Sequence, residues 1–225
     1  LAAMFMQGLE VQLDESMLRA IKRSADKMIF WLGVDDNANF IKSVKELIIG
    51  PRFFAQYSEI AQFAEVLPLL TELQVLQWKA KHLWNQHPIL IAAGKLPKLK
   101  RLYAEDCRMN FLPESLCAAP QLEALYLSGN KLADMPAQLD QLHQLKELDL
   151  SNNAFKSCPR SVCRLKLLEV LRLHDNPLIE IAPRSLGRLY KLRDFQLSNS
   201  VAKTYLDELK DWLPDVDFEK PYWQI

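Results

Sequence analysis

Few residues in this chain have the types and spacing that catalysis requires, and the first candidates are a serine, a histidine and their neighbouring aspartates. Ser151 follows Asp149 by two positions, and His174 directly precedes Asp175. A serine becomes a nucleophile when a base accepts its proton and an acid orients that base. Acyl transfer also needs donors that stabilise an oxyanion, and the face of a strand, where these residues are expected, supplies none. We therefore predict no catalytic residues and no enzyme activity.

Metal and cofactor sites have equally little support. His82 and His87 are close in sequence, but no cysteine or carboxylate pair accompanies them at a metal-binding spacing. Cys158 occupies a position that leucine fills in neighbouring segments, so we expect it to be a small core residue. The six glycines are scattered singly, which gives no phosphate-binding loop. We predict neither a metal nor a cofactor.

The formal charge is balanced, because lysine and arginine together number 28 and aspartate and glutamate also number 28. Proteins that neutralise many phosphates usually carry a basic excess. The longest apolar stretches, such as residues 28–34, are far shorter than the roughly 20 residues that a helix needs to cross a bilayer. We therefore expect no nucleic-acid partner and no transmembrane segment.

The cysteines and the first residue bear on the origin of the chain. The four cysteines contain no CxxC pair and no dense cluster, which favours a reducing compartment and predicts a cytoplasmic protein. The chain begins with Leu1 rather than methionine and lacks a basic-then-apolar signal pattern. We expect it to be a piece of a longer protein.

Leucines return at a nearly constant interval through the second half of the chain. The recurring segments start at Leu99, Leu122, Leu145, Leu168 and Leu192, and they read LKRLYAEDCRMNFL, LEALYLSGNKLADM, LKELDLSNNAFKSC, LEVLRLHDNPLIEI and the degenerate LRDFQLSNS. Successive starts lie 23, 23, 23 and 24 residues apart. A fixed period of this length is typical of a solenoid in which each repeat is one structural unit.

The spacing inside each copy has a physical reason. In the shared pattern LxxLxL, the last two leucines are two positions apart and share one face of a short strand. Asn130, Asn153 and Asn176 follow where the chain leaves the strand, and Cys107 takes this place in the first regular copy. An asparagine side chain can satisfy backbone groups that a tight turn leaves unpaired. The proline-containing tails then add a second apolar layer on the outer side.

The combined pattern LxxLxLxxNxLxxLPxxL resembles that of the leucine-rich-repeat family, and the likeness covers roughly half of the chain, from Leu99 to Ser200. The resemblance implies an α/β leucine-rich-repeat solenoid, with a curved parallel β-sheet on the concave side and a helical or irregular convex side. The repeats are similar to those of intracellular adaptor and scaffold proteins. They are also similar to those of bacterial leucine-rich-repeat proteins, some of which are injected into host cells.

Weaker copies and end caps extend this organisation to the whole chain. The segments VKELII and LQVLQW are typical of two further strands, and residues 58–70 are typical of a helix between them. The alternative is that these upstream segments form a helical cap rather than irregular repeats. Because terminal repeats need covers, we expect capping helices at 14–32 and after 200, the latter followed by a short strand at 216–218. The predicted domains are an N-terminal helical cap (1–43), a solenoid (44–200, irregular over 44–98 and regular over 99–200) and a C-terminal cap (201–225).

The x positions of LxxLxL are predicted to point to the concave side, where they have no packing role. Tyr103 and Tyr126 occupy equivalent positions on neighbouring strands, which lie about 4.8 Å apart in a sheet. Tyrosine and arginine often dominate protein interfaces, although tyrosine also favours strands for structural reasons. The predicted partner-binding residues are Arg101, Tyr103, Glu105, Tyr126, Asp149, Arg172, His174 and Gln196.

A second cluster, which we call the basic ladder, consists of Arg160, Arg164, Arg184 and Arg188 in the last two regular tails. The earlier tails carry no cation at these positions; Gln141, for example, stands where Arg164 does. The ladder could meet an acidic partner or an anionic membrane surface. It is also what a solvated surface rich in basic residues looks like, so its role is left open.

The sequence thus predicts a scaffold-like module that binds a protein partner on its concave face without catalysis of its own. The alternative is the substrate-recognition domain of a larger enzyme or of a secreted bacterial effector, for example a ubiquitin ligase, whose catalytic domain lies outside this chain. An effector of this kind would act inside a host cell. An open reading frame that continues beyond residues 1–225 would favour the alternative.

Overall fold

A computed structural model describes the chain over residues 11–12, 44–49, 57–78 and 87–218. These residues form one eight-stranded sheet in which parallel strands follow one another in chain order. The strands are β1 (Val11–Gln12), β2 (Glu46–Ile49), β3 (Val75–Trp78), β4 (Arg101–Tyr103), β5 (Ala124–Tyr126), β6 (Glu147–Asp149), β7 (Val170–Arg172) and β8 (Asp194–Gln196). Each repeat therefore adds one strand beside the last, as a solenoid requires.

The strand leucines stack in one continuous row. Leu76 pairs with Leu102, and the row continues through Leu125, Leu148 and Leu171. All five are completely buried, whereas the residue that follows each of them is half-buried on the opposite face, as a period of two demands. A slip of one residue would turn the leucines out of the core, so the LxxLxL pattern fixes the register.

The segments that connect successive strands on the outer side of the solenoid become shorter as the repeat becomes shorter. The 29-residue step between the core leucines of β2 and β3 holds α1 (Tyr57–Val66) and a 3₁₀ turn (Leu67–Leu69), which confirms the helix predicted at 58–70. The next step, of 26 residues, holds α2 (His87–Ala93). A 3₁₀ turn spans more length per residue than an α-helix, so a shorter repeat can still cross the outer side. The later segments are 3₁₀ turns at Glu114–Ala118, Ala137–Gln141 and Val162–Arg164, and then α3 (Pro183–Leu186).

Each regular coil has a residue of positive φ at one shared position after its strand. These residues are Asp106 (54°), Gly129 (68°), Asn152 (51°) and Asp175 (56°), and successive ones are 23 positions apart. The first coil has a second such residue, Arg108 (56°), which the other coils lack. Aspartate, asparagine and glycine are the types that tolerate the left-handed region best. The turn that follows each strand is therefore encoded at one fixed position of the repeat.

The next position in three of the four coils is a predicted turn asparagine. Asn130, Asn153 and Asn176 each accept an N–H of the preceding coil and donate to backbone carbonyls. Asn130 and Asn176 are buried, with 7% and 8% of their surface exposed. The prediction that these side chains satisfy turn backbone is confirmed, and each asparagine joins two successive coils.

The two ends of the sheet differ. β1 extends the sheet beyond β2 by pairing Val11 with Leu47, so the region predicted as a helical cap contains a strand. The helix predicted at 14–32 lies outside the described residues, and the cap itself stays a prediction. At the other end α4 (Asn199–Trp212) packs against α3 and buries Leu209.

The prediction of a short strand at 216–218 is wrong. The backbone N–H of Val216 donates to the carbonyl of Leu213 at 3.1 Å, which forms a turn, and neither residue pairs with β8. Both side chains are buried. The turn therefore places the two apolar groups against the core without adding a strand.

Candidate functional site

The predicted site residues lie on the side of the sheet opposite the leucine core, which we call the concave face. The register places Tyr103 beside Tyr126 and continues through Asp149, Arg172 and Gln196, one residue from each of five adjacent strands. All five are half-buried. The predicted row is therefore confirmed as a structural feature, whereas its role in binding stays a prediction.

An aromatic stack occupies one part of this face. The rings of Tyr103 and Tyr126 have centroids 4.5 Å apart and planes inclined by 6°. Such a pair contributes about 0.5–1.5 kcal/mol beyond its buried area. The hydroxyl of Tyr126 donates to the carboxylate of Glu147 on the next strand. Burial and this hydrogen bond raise the pKa of Tyr126 well above its usual value, so the phenol stays a neutral donor.

A charged pair lies beside the stack. Arg172 Nη1 is 3.9 Å from Asp149 Oδ2, and the two side chains are 26% and 14% exposed. The other oxygen of Asp149 accepts the N–H and the hydroxyl of Ser151, at 2.9 Å and 2.6 Å. The serine thus orients the carboxylate beside Arg172. The guanidinium has five N–H donors, enough to serve a partner as well as Asp149.

Two further predicted residues contact polar neighbours at the borders of this arrangement. Glu105 Oε1 accepts the hydroxyl of Ser128 at 3.3 Å, and Gln196 Nε2 donates to Asp194 at 3.4 Å. In the described ranges, neither is joined by a hydrogen bond or ion pair to another predicted site residue. They extend the polar surface on both sides of the stack and the charged pair.

The last two predicted residues are separate from the central pairs. Arg101 is exposed on β4, beside the small Ala124 of the next strand. The Nε2 atom of His174 lies 3.9 Å from Asp175, its own chain neighbour. The structure therefore brings together Tyr103 with Tyr126, and Asp149 with Arg172, but leaves Arg101 and His174 outside these contacts.

Sequence reasoning did not include Glu147 among the site residues. Its carboxylate holds the hydroxyl of Tyr126 and therefore helps to fix the stack. The available signal was the register, because Glu147 lies on the strand next to Tyr126 and two positions before Asp149. That position is diagonal to the tyrosine on the same face.

The catalytic arrangement considered for Ser151 is not formed. Its hydroxyl donates to Asp149 rather than to His174, and the residue is 95% buried, since only 5% of its surface is exposed. A serine nucleophile needs a hydrogen bond to its base. The two side chains therefore do not act as a nucleophile and base pair in this geometry.

Over the described ranges, the structure offers neither a cluster of metal ligands nor a helix able to span a membrane. No group of three or more histidine, cysteine or acidic side chains there could hold a metal ion. Of the two histidines that were considered and rejected as metal ligands from the sequence, His82 lies outside the described residues. Within the same ranges, no helix combines the length and apolar character that crossing a bilayer requires.

The four cysteines are free thiols. Burial raises the pKa of Cys117 to about 11, and the carboxylates of Glu114 and Asp140 add to the shift. Cys158 packs against the core but is only half-buried, which is less than its leucine-like position predicts. The neighbouring Cys163 thiol, together with burial, raises the pKa of Cys158, whereas the Cys158 thiol and the positive charge of Arg188 lower the pKa of Cys163. Cys163 is therefore the more readily ionised of the two.

Comparison with known proteins agrees with this architecture. The family described as leucine rich repeat matches residues 120–178. No curated protein matches the chain. Among solved structures, similar folds include a leucine-rich-repeat protein of Leptospira interrogans (20% identity, TM-score 0.53), TLR13 in complex with ssRNA13 (21%, 0.63) and an internalin, InlF, of Listeria monocytogenes (18%, 0.51).

The coverage of these matches is unequal. They cover 80%, 80% and 69% of this chain, but the chain spans only 56%, 26% and 46% of the three solved chains. Identities of this size show a shared fold and no more. The constant repeat, the parallel register and the family match over residues 120–178 together show that the chain has a leucine-rich-repeat fold.

Proposed function

We propose that the chain binds a partner protein on its concave face. Leucine-rich-repeat folds are protein-interaction modules in general, because stacked repeats offer an extended binding surface. The observation that carries the proposal is the contact of Tyr103 with Tyr126 beside the pair of Asp149 and Arg172. Tyrosine and arginine are frequent binding anchors. Because these side chains already hold one another in place, a partner would meet a lower ordering cost.

The charge of the concave face supports a protein partner rather than a nucleic acid. Along β3 to β8, the residues that alternate with the buried leucines point to the concave face. Those that the structure describes and that carry charge are four carboxylates and two guanidinium groups: Glu105, Glu147, Asp149 and Asp194, with Arg101 and Arg172. An excess of carboxylates repels phosphates. TLR13 was solved in complex with an RNA, a ligand that the excess of carboxylates disfavours on this face. A partner with exposed basic and aromatic groups complements the face better.

A second candidate is the recognition domain of a larger enzyme or of a secreted bacterial effector such as a ubiquitin ligase. The observation that favours it is the coverage, since the chain spans 26–56% of the similar solved chains and two of these come from bacteria. Sequencing the full reading frame distinguishes this candidate from a stand-alone binding module.

For either candidate we propose that the protein works in a reducing compartment, because all four cysteines are free thiols. That compartment is the cytoplasm of the producing cell or of a host cell.

Affinity capture with purified protein tests the concave-face proposal. The bait is compared with a variant that carries Tyr126→Ala and Arg172→Ala, and the control carries Phe111→Ala and Ile179→Ala, two exposed apolar residues away from the concave face. Once the captured protein is purified, its Kd for the first variant should rise roughly 30-fold, or about 2 kcal/mol. The control should bind normally. Equal binding by all three proteins would place the site elsewhere.

A further inference from the structure

A groove of about 930 Å³ lies beside the tails of the last regular repeats, away from the concave face. Its floor is apolar, since Leu142 and Leu165 line it and are each only 2% exposed, and Cys163 lies beside them. Tyr190 also lines the groove but is 61% exposed. The groove thus combines a closed apolar floor with one large aromatic side chain that is free to contact a ligand.

The polar lining of this groove is mainly basic. Arg164, Lys166 and Arg188 contribute cations, and Asp140 is the single carboxylate among the lining residues. Asp140 already pairs with Arg164 at 3.3 Å. Lys166 and Arg188 are exposed and form no ion pair with any residue of the described ranges. Two cations beside an apolar floor are therefore available to an anionic ligand.

This charge is specific to one part of the solenoid. Arg164 and Arg188 belong to the basic ladder and occupy the same position of successive repeats, where earlier repeats have Ala118 and Gln141. Lys166 lies two positions after Arg164 on the same tail. A uniform basic surface would carry cations in every repeat, whereas here they collect where the groove is.

We propose that the groove binds an acidic, extended peptide segment that carries an apolar side chain. The carboxylates would meet Lys166 and Arg188, and the apolar side chain would pack on Tyr190 above Leu142 and Leu165. An anionic membrane is the poorer match, because membrane-binding surfaces insert projecting apolar groups and the two leucines here lie at the floor of a groove. This surface is distinct from the concave face and does not depend on the function proposed for it.

Fluorescence anisotropy with a defined probe tests this site. The probe is a fluorescein-labelled peptide of alternating glutamate and aspartate with a central phenylalanine pair, and its control replaces every acid by the matching amide. The full chain should bind the acidic peptide and not the amide peptide, more tightly at low than at physiological ionic strength. The variant Lys166→Glu with Arg188→Glu should weaken binding by about tenfold or more.

Matched variants separate the groove from general electrostatics. Lys131→Glu with Lys156→Glu changes the net charge equally at exposed positions outside the groove lining, and it should leave peptide binding within about twofold of the unaltered chain. Tyr190→Ala should weaken binding by about fivefold. Tyr126→Ala with Arg172→Ala should leave the affinity for the peptide unchanged. The groove proposal can therefore fail while the concave-face proposal stands, and the concave-face proposal can fail while the groove proposal stands.

Three outcomes would overturn the proposal. In the first, the chain binds neither the peptide nor vesicles. In the second, Lys131→Glu with Lys156→Glu weakens peptide binding as much as the groove variant does. In the third, the chain binds vesicles containing phosphatidylserine but not the peptide. Thermal unfolding of each variant verifies that it is folded. If the charge reversals unfold the chain, Lys166→Gln with Arg188→Gln replaces them, and unchanged binding by that folded variant overturns the proposal equally.

Discussion

The side-chain oxygen of Asn130 accepts the backbone N–H of Cys107, 23 residues earlier, at 3.0 Å. The same oxygen accepts the N–H of Met109 at 3.0 Å, and the amide nitrogen donates to the carbonyls of Ala104 and Leu127, each at 2.8 Å. One buried side chain thus serves backbone groups of two successive coils. Coil stacking in this protein depends on these hydrogen bonds as well as on leucine packing.

We therefore predict that Asn130→Ala destabilises the chain by about 2–4 kcal/mol, because it leaves several buried backbone groups without a partner. Urea denaturation followed by circular dichroism measures the change in the free energy of unfolding. The control is Asn110→Ala, an exposed asparagine, which should cost less than about 0.5 kcal/mol. Equal effects of the two substitutions would show that the asparagine hydrogen bonds add little stability.

Leu148→Ala tests the row of strand leucines. Leu148 lies between Leu125 and Leu171 in the register and is completely buried. Truncation should lower the free energy of unfolding by roughly 2–5 kcal/mol through lost burial and a residual cavity. Ile179→Ala, at a residue that is 75% exposed, should change it by less than about 0.5 kcal/mol. A loss for Leu148→Ala as small as that of the control would contradict the assigned core.

The regular part of the fold was predictable because each repeat encodes it several times. The leucine spacing sets which face of a strand is buried, and the asparagines mark the turns. A further signal was present but unused: Asp106, Gly129, Asn152 and Asp175 are residue types that accept positive φ, and they recur at one fixed position. Such residues mark where each strand ends, just as the leucines mark which face of the strand is buried.

The ends and the side-chain contacts were harder to predict because they are not repeated. β1 consists of Val11 and Gln12 only, which is too short for a detectable periodicity. At 216–218 the apolar residues suggested a strand, but a turn buries Val216 equally well. The bonds of Tyr126 to Glu147 and of Ser151 to Asp149 depend on side-chain rotamers, and the repeat pattern carries no information about those.

The raised pKa of Tyr126 gives a prediction for alkaline pH. Its usual value is about 10, and burial, followed by the hydrogen bond to Glu147, raises it in the folded chain. Because the unfolded chain ionises first, the stabilisation from this group is complete below about pH 10 and is lost as the pH rises towards the folded pKa.

Phenolate absorbance of the folded chain and of Tyr126→Phe measures this directly. The two titration curves should coincide up to about pH 11, since Tyr126 does not yet ionise. Glu147→Gln should lower the pKa of Tyr126 without restoring the usual value, because burial remains. A difference of about half a phenolate between the curves at pH 10 would mean an ordinary tyrosine, and it would show that Tyr126 is neither buried nor held by Glu147.

The most direct test of the concave-face proposal is site-specific photocrosslinking to the purified partner. Benzoylphenylalanine replaces Tyr103 on the concave face in one protein and Ile179, on the outer part of the repeat, in another. If the partner binds the concave face, the protein altered at Tyr103 forms the crosslinked complex and the one altered at Ile179 does not. Crosslinking from Ile179 alone would contradict the proposal.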